Sequence, residues 1–257
     1  MIILNNPVNP TGTHVGTDTQ REIIKIARQH NLYVHCDEIF RPLYHTTTKL
    51  DIPASMVEYP DLKYDRVITT SSLSKCYGLS GIRIGWIATR SPELLAKFVN
   101  YRMYSVQALS MLDEVVATEV LSPRCRPSIL QKHLALAKHN LNLIEAFVDK
   151  HETQCEWTRP TAGAVAFVKF KNAQSGEPVD DMDFCERLVE SKGVLLSPAT
   201  LCFEFDEAVP PADDALKMKA AEGLEEFKGR VRLHFTCNTE VLEKGLRGLA
   251  EFLEEEK

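Results

Sequence analysis

One lysine stands out among the residues that could do chemistry. Lys75 lies in residues 72–86, a segment whose only other charged residue is Arg83. A stretch with so little charge is expected to be buried, and buried cations need partners or a bound ligand. A lysine amine removed from water is readily nucleophilic and can form a Schiff base with a carbonyl group. Arg83, with two serines nearby, would make a phosphate clamp.

Two other turns carry polar side chains directly after apolar runs. Asn9 opens an Asn-Pro-Thr-Gly turn, and Asp37 and Glu38 follow the run at 32–36. Each feature alone has an ordinary explanation: a turn, a helix cap, or a solvated surface lysine. Ligands of open α/β sheets, however, bind beyond the carboxyl ends of the strands. The conjunction therefore favours one site that combines an amide, a carboxylate, hydroxyls and an amine.

The elements that must position these residues alternate along the first ninety residues. The apolar runs predict four strands, at 2–4, 32–36, 66–70 and 85–89. Residues 17–29 predict a helix, capped by Thr17 or Asp18. This alternation predicts an α/β fold whose sheet is mainly parallel and flanked by helices. The gap at 75–84 is too short for an ordinary crossover, which favours an antiparallel fourth strand.

The second half of the chain has a different pattern. Two long helices are predicted at 91–121 and 129–150, the first begun by a Ser-Pro-Glu sequence. Short elements follow, with strands predicted at 164–170, 194–196 and 231–236 and helices at 181–191 and 241–254. A polar, proline-bearing loop is expected at 206–214. We therefore predict a large domain at 1–150 and a smaller α+β C-terminal domain at 151–257.

Composition excludes several classes of protein. The chain has 257 residues, 44% of them hydrophobic, and a formal net charge of −6, which argues against disorder and non-specific nucleic-acid binding. It has no apolar run long enough for a transmembrane helix and no signal-peptide pattern at its start. Its seven cysteines include no Cys-x-x-Cys pair, so no metal or disulfide framework is expected. We expect a soluble, cytosolic protein with free thiols.

The three segments in this order resemble the pyridoxal-phosphate (PLP)-dependent aminotransferases of fold type I, in the class I/II group. The lysine segment fits that family's attachment-site pattern, with Ser72 three residues before Lys75 and Arg83 eight after it. The turn that starts at Asn9 lies 28 residues ahead of the Asp-Glu-Ile-Phe segment that starts at Asp37, and this spacing also fits.

The resemblance implies a role for each matching residue. Lys75 would bind PLP as a Schiff base and then act as a proton shuttle, and Asp37 would pair with the pyridine nitrogen. Asn9 would donate a hydrogen bond to the phenolic oxygen of the ring. The phosphate would be held by Ser72 and Arg83, with Ser74 a weaker candidate. The substrate carboxylate would be bound by Arg232, although Arg230 is expected on the same strand face.

This sequence departs from the family pattern at three places. Phe40 stands where the family usually has a tyrosine that bonds the phenolic oxygen. Pro198-Ala199 stands where a proline-glycine pair is common. Only eight residues precede Asn9, whereas family members carry a long preceding segment. The sheet is therefore expected to be incomplete, with an unpaired edge and an exposed apolar face.

Three hypotheses about function follow from the resemblance. The first is an aminotransferase that moves an amino group between an amino acid and a 2-oxo acid. The second keeps PLP but changes the reaction to elimination, decarboxylation or cyclopropane formation. The third is a catalytically impaired fragment that binds a relative of full length. The resemblance also implies a homodimer, with active sites at the subunit interface.

Overall fold

The computed structural model describes residues 1–45, 52–203 and 225–256. The chain forms two compact units. Unit 1 comprises Met1–Ala137 and Thr161–Ala164, and unit 2 comprises Lys138–Pro160 and Val165–Lys257.

Unit 1 is built on a four-stranded sheet. Its strands are β1 (Ile2–Asn5), β2 (Val34–Asp37), β3 (Val67–Ser72) and β4 (Gly85–Thr89). They lie in the order β1-β2-β3-β4, with β1, β2 and β3 parallel and β4 antiparallel to β3. The mainly parallel sheet and the antiparallel fourth strand are therefore confirmed. The parallel register brings the carboxyl ends of β1, β2 and β3 to one edge of the sheet.

Helix α1 (Thr17–Gln29) crosses from β1 to β2 and buries one face of the sheet. Ile24 and Ala27 of this helix pack with Val34, Cys36 and Val67 of β2 and β3. The predicted side-chain cap is wrong, because the N-cap residue is a glycine with no side-chain hydrogen bond. Two single 3-10 turns, Met56–Glu58 and Pro60–Leu62, lie between β2 and β3.

The long helix predicted at 91–121 is two helices, α2 (Pro92–Ser105) and α3 (Met111–Val120). Ser91 caps α2 as predicted, since its hydroxyl accepts a hydrogen bond from the backbone N–H of Leu94 at 3.2 Å. The helix ends at Ser105, and Val106 after it has non-helical dihedral angles. Ser110 then caps α3 by accepting from the N–H of Asp113 at 3.4 Å. A second serine cap thus breaks the helix without a glycine or a proline.

Helix α4 (Arg126–Lys150) begins three residues before the predicted start, and its second residue is Pro127. A proline is tolerated there because the first turn of a helix leaves its N–H groups unbonded. The division between the two units falls within this helix.

Unit 2 contains an antiparallel sheet in the order β5-β6-β8-β7. Its elements are β5 (Cys155–Trp157), β6 (Val165–Phe170), α5 (Asp181–Lys192), β7 (Ser197–Pro198), α6 (Thr200–Phe203), β8 (Arg230–His234) and α7 (Thr239–Glu255). The strand predicted at 194–196 is wrong: the pairing with β8 starts at Ser197, and Leu195 is exposed. The loop predicted at 206–214 lies outside the described residues.

Both edge strands of the unit 1 sheet carry exposed apolar side chains. Ile3 on β1 is 71% exposed, and Trp86 and Ile87 on β4 are also exposed. Across the described ranges, no helix has both the length and the apolar composition needed to cross a membrane. All seven cysteines are free.

Candidate active site

The turn that contains Asn9 is bound to the end of β2. The backbone N–H of Asn9 donates to Oδ1 of Asn5 at 2.7 Å. The amide nitrogen of Asn5 in turn donates to the backbone carbonyl of Asp37 at 2.9 Å, and the N–H of Asn6 donates to the same carbonyl at 2.9 Å. Asn5, the last residue of β1, therefore fixes the turn against the residue that sequence analysis selected as the partner of a pyridine nitrogen.

The carboxylate of Asp37 has one bonded and one open oxygen. Its Oδ1 accepts from the N–H of Ile39 at 3.1 Å and, over a long contact of 3.4 Å, from the hydroxyl of Thr70. No hydrogen bond from the described part of the chain reaches Oδ2. Asp37 is only half-buried, so a ligand can approach this oxygen.

The loop that carries Lys75 leaves β3 and returns as β4. The N–H of Leu73 donates to Ile84 at 3.0 Å, and the N–H of Gly78 donates to Lys75 at 3.2 Å. Leu73 and Cys76 are buried, but the side chain of Lys75 is exposed. The expected burial of the whole segment is therefore wrong at the lysine. The apolar residues of the loop turn inward and carry the packing, which leaves Lys75 at the surface of this chain.

Two side chains, one near the end of β3 and one in the lysine loop, bind to the segment after β2. The thiol of Cys76 donates to the carbonyl of Ile39 at 3.2 Å, and the hydroxyl of Ser71 donates to the carbonyl of Glu38 at 3.2 Å. Burial raises the pKa of the Cys76 thiol to about 12, so this cysteine is a structural donor and not a nucleophile. The amine-bearing loop and the carboxylate-bearing loop are thus held together by hydrogen bonds.

The predicted phosphate-binding residues lie at the two ends of the same loop. The hydroxyl of Ser72 accepts from the N–H of Ser74 at 3.1 Å, which places the two serines side by side. Arg83 is exposed, contrary to expectation, and donates to the carbonyl of Ser80 at 3.0 Å. Among the described residues this is the only hydrogen bond that the guanidinium makes, and a stronger, anionic acceptor could replace the carbonyl.

Glu38 does not share the exposure of its neighbour Asp37. It is buried and accepts from the hydroxyl of Ser55 at 2.9 Å and the N–H of Met56 at 2.8 Å. Burial raises the pKa of this carboxyl above its ordinary value, although Arg41 lies 3.9 Å away. Glu38 therefore stabilises a 3-10 turn, and of the Asp-Glu pair only Asp37 faces solvent with an open oxygen.

Phe40 is buried and serves packing. A Cβ atom added at Gly163 would lie 3.7 Å from Pro7 and 3.9 Å from Phe40, so these three residues are in close contact. Gly163 has a φ of +78°, a conformation that favours glycine. The phenyl ring therefore supports the backbone near the site and has no polar group to offer to a ligand.

The two arginines of β8 belong to unit 2. Arg230 and Arg232 are half-buried while Val231 is fully buried, as expected for side chains that alternate across a strand. Arg232 donates to the hydroxyl of Ser197 at 3.2 Å, and Arg230 lies over the ring of a phenylalanine of β6 at 5.7 Å. The structure thus gives the two arginines different neighbours on one strand face.

Sequence analysis missed three residues that connect the site: Asn5, Thr70 and His35. Each lies on a strand and bonds to a residue far away in sequence. The signal that could have found His35 is strand alternation, which places it on the same face as Asp37, two residues later. Thr70 could only be found once the register of β2 with β3 was known.

Comparison with known proteins assigns the family. The model for aminotransferase class I and II matches residues 1–247. The chain belongs to this family. It is similar to capreomycidine synthase of Streptomyces vinaceus, with 27% identity over 98% of this chain and 55% of that protein. It is also similar to a PLP-dependent aminotransferase of Streptococcus suis, with a TM-score of 0.78, 30% identity, and coverage of 100% of this chain and 58% of the other.

A second similar solved structure is a cyclase and not an aminotransferase. The PLP-dependent cyclase OrfR matches with a TM-score of 0.77 and 26% identity, over 99% of this chain and 59% of that chain. The family thus includes PLP enzymes with distinct reactions, and membership supports an enzyme and implies PLP as its cofactor. The chain spans a little over half the length of these relatives.

Proposed function

We propose that this chain carries the lysine-bearing part of a PLP-dependent aminotransferase. Such an enzyme transfers an amino group between an amino acid and a 2-oxo acid. The observation that carries the proposal is the hydrogen-bonded junction of three loops at the carboxyl edge of the unit 1 sheet. Asn5, Asp37 and Cys76 each bond across it, so Asn9, Asp37 and Lys75 belong to one structural assembly.

The donor set of this assembly fits PLP. An exposed primary amine suits an aldehyde, and a carboxylate with an open oxygen suits a pyridine nitrogen that carries a proton. The hydroxyls of Ser72 and Ser74, two residues apart in sequence, with the guanidinium of Arg83, suit a phosphate. When bound, PLP supplies an aldehyde carbon for the amine and a ring that takes up electron density from the substrate.

Lys75 has two tasks in this proposal. Its Nζ would hold the cofactor covalently, and as a free amine the same Nζ would accept and return a proton. Both tasks need an amine that can move over a short distance from a fixed backbone. The hydrogen bond from Gly78 to the carbonyl of Lys75 supplies the fixed backbone, and the exposure of the side chain leaves the amine free to move.

Three further residues act by binding. Asp37 holds the proton of the pyridine nitrogen through Oδ2, since its other oxygen is already bonded. Asn9 donates to the phenolic oxygen, and this bond matters more here because Phe40 has no hydroxyl. Arg232 binds the substrate carboxylate, with a planar guanidinium suited to two parallel hydrogen bonds. Arg230 is the alternative for this role. The variants Arg230→Lys and Arg232→Lys distinguish the two residues, because substitution of the one that binds the carboxylate should raise the KM.

A second candidate reaction is ring formation on PLP. It is favoured by the similarity to the PLP-dependent cyclase OrfR, which extends over 99% of this chain. The two reactions differ in their co-substrate. An aminotransferase converts an added 2-oxo acid into an amino acid, whereas a cyclase leaves a 2-oxo acid unchanged.

We also propose that the protein is a homodimer of the cytoplasm. The free state of all seven cysteines agrees with a reducing compartment. The exposed apolar residues of α2 and α3, among them Tyr104 and Leu112, agree with an interface. Sedimentation with and without PLP tests the dimer: we expect twice the chain mass, and a monomer under both conditions would contradict it.

Turnover tests the proposed reaction. The chain is incubated with PLP, a mixture of amino acids and a panel of 2-oxo acids, and new amino acids are measured by mass spectrometry. We expect a 2-oxo acid to be consumed by the parent and not by Lys75→Ala, while Lys25→Ala, which alters a surface lysine of α1, behaves as the parent. Consumption that survives in Lys75→Ala, or none by the parent, would contradict the proposal.

A further inference from the structure

A second layer of hydrogen bonds lies behind Asp37. Parallel pairing sets Asp37 opposite Thr70 and His35 opposite Ile68. His35 lies two residues before Asp37 on β2, so Asp37, Thr70 and His35 lie on the same face of the sheet. Nε2 of His35 lies 3.0 Å from the hydroxyl oxygen of Thr70. That hydroxyl lies 3.4 Å from Oδ1 of Asp37. The imidazole, the hydroxyl and the carboxylate therefore form a continuous series across β2 and β3.

The chemistry of these groups fixes the direction of the series. A carboxylate can only accept, and a threonine hydroxyl has a single proton to donate. All three groups are bonded only if Thr70 donates to Asp37 and accepts from His35. His35 must then carry a proton on Nε2. In the opposite direction the hydroxyl would donate its proton in a hydrogen bond to Nε2 of His35, and the carboxylate of Asp37 would lose a donor.

This direction has a consequence for Asp37. Oδ1 then accepts from the N–H of Ile39 and from Thr70, two donors on separate elements. A carboxylate bonded twice through one oxygen cannot rotate without breaking both bonds. The second oxygen is therefore left in a fixed direction with no bond from the described residues, as a binding group for one further donor needs to be.

We propose that Thr70 and His35 are positioning residues, which hold the carboxylate of Asp37 through a directed chain of donors and leave Oδ2 for the pyridine nitrogen of PLP. The assignment deepens the proposed function and rests on it, since it concerns the residue that would hold the ring nitrogen. It makes a claim about the cofactor-free chain as well, because the donor chain involves only protein groups.

Imidazole NMR tests the donor chain without any cofactor. The full chain is labelled with 15N-histidine, and the signal of His35 is assigned by its loss in His35→Gln. We expect the Nε2–H tautomer in the parent and in Thr70→Ser, which keeps the hydroxyl. In Thr70→Val the preference for this tautomer should weaken. The Nδ1–H tautomer in the parent, or no response to Thr70→Val, would overturn the inference.

Cofactor binding tests the positioning role. We expect Thr70→Val to raise the apparent Kd for PLP about three- to tenfold, the range expected when one net hydrogen bond is lost. Thr70→Ser should stay within about twofold of the parent, because it keeps the donor. Thr69→Val is the matched control, since this buried residue lies on the same strand but on the opposite face. Valine suits a strand as well as threonine does, so all variants should fold.

The outcomes separate the two proposals. If the parent binds PLP through Lys75 and Thr70→Val binds it equally well, the positioning role is overturned while the proposed function stands. If the parent does not bind PLP, the proposed function fails and the positioning role fails with it. The NMR measurement still decides whether the donor chain exists in that case. An equal loss in Thr70→Ser and Thr70→Val would also overturn the role, because the hydroxyl would then be irrelevant.

Discussion

The two units differ in how far their own residues cover their apolar surface. In unit 2, Phe184 stacks on Phe170 at 4.7 Å and meets Phe252 edge-on at 5.2 Å, and all three rings are buried. In unit 1, helix α2 has no buried residue and helix α3 buries only Ala117. Unit 2 therefore closes a core of its own, whereas unit 1 leaves the apolar residues of two helices in contact with solvent.

This difference in core coverage between the two units indicates which contacts hold the candidate site in place. The side chains assigned to PLP all lie in unit 1, at the ends of strands, where burial contributes least. They are held by polar contacts between loops, such as those of Asn5 and Cys76. We therefore expect core substitutions to dominate the stability of unit 2, and small polar changes to dominate the geometry of the site.

Matched leucine substitutions test the contrast most strongly. Leu249 of α7 is 1% exposed, and Leu112 of α3 is 78% exposed. Leu249→Ala should lower the free energy of unfolding of unit 2 by about 2–5 kcal/mol, the usual range for a buried leucine. At a dilution where the chain is monomeric, Leu112→Ala should change that of unit 1 by less than about 0.5 kcal/mol.

The two tryptophans make this measurement specific to each unit. Trp86 belongs to unit 1 and Trp157 to unit 2, so urea unfolding of Trp86→Phe and Trp157→Phe backgrounds reports on one unit at a time. Equal losses for the two leucines in the monomeric chain would show that residues of the same chain cover the apolar helices of unit 1, and the contrast would then be wrong.

Two glycines with positive φ sharpen the comparison. A Cβ atom at Gly229 would lie 2.8 Å from the backbone oxygen of Phe170, which cannot move without disturbing β6. At Gly78 it would lie 2.6 Å from the ring of His133, a side chain that can turn away. We expect Gly229→Ala to cost about 2–3 kcal/mol and Gly78→Ala about 1–2 kcal/mol.

The same urea unfolding, read from the tryptophan of each unit, checks these values. The further substitution His133→Ala should recover part of the loss in Gly78→Ala by removing the contact. No recovery would place the cost in the backbone conformation of the lysine loop alone.

A pH series tests the smallest expected effect. Burial raises the pKa of Glu38 above the ordinary 4.5, so above that pH the folded state holds a proton that the unfolded state has lost. The contribution of Glu38 to the free energy of unfolding of unit 1 should therefore fall as the pH rises from 4.5 toward its folded-state pKa. Glu38→Gln cannot titrate and should show a shallower fall. An identical slope for parent and variant would show that this carboxyl is not desolvated.

Sequence reasoning succeeded where the signal was local. The apolar runs predicted the strands of the unit 1 sheet, and the short gap after Lys75 predicted that β4 runs antiparallel. Sequence reasoning failed where a helix or strand ended at a position that composition alone did not mark. Residues 106–109 contain neither glycine nor proline, so the break before Ser110 and its cap went unnoticed. The run at 194–196 has strand composition, but pairing with β8 starts after it.

The candidate site shows a similar limit. Asn9, Asp37 and Lys75 were selected from residue types and spacing, and their roles stay predictions. The exposure of Lys75 could not be predicted, because composition does not say which residues of a loop turn inward. The links through Asn5 and Thr70 depend on strand register, which joins residues 32 and 33 positions apart. Such links become visible only in three dimensions.

Covalent attachment at Lys75 tests the central claim most directly. The chain is mixed with PLP, reduced with borohydride, digested, and analysed by mass spectrometry for lysines that carry the cofactor. We predict one dominant modified peptide, which contains Lys75, in the parent, in Lys25→Ala and in Leu112→Ala. Modification spread evenly over the surface lysines, or unchanged in total when Lys75 is replaced by alanine, would contradict the assignment of this loop as the cofactor site.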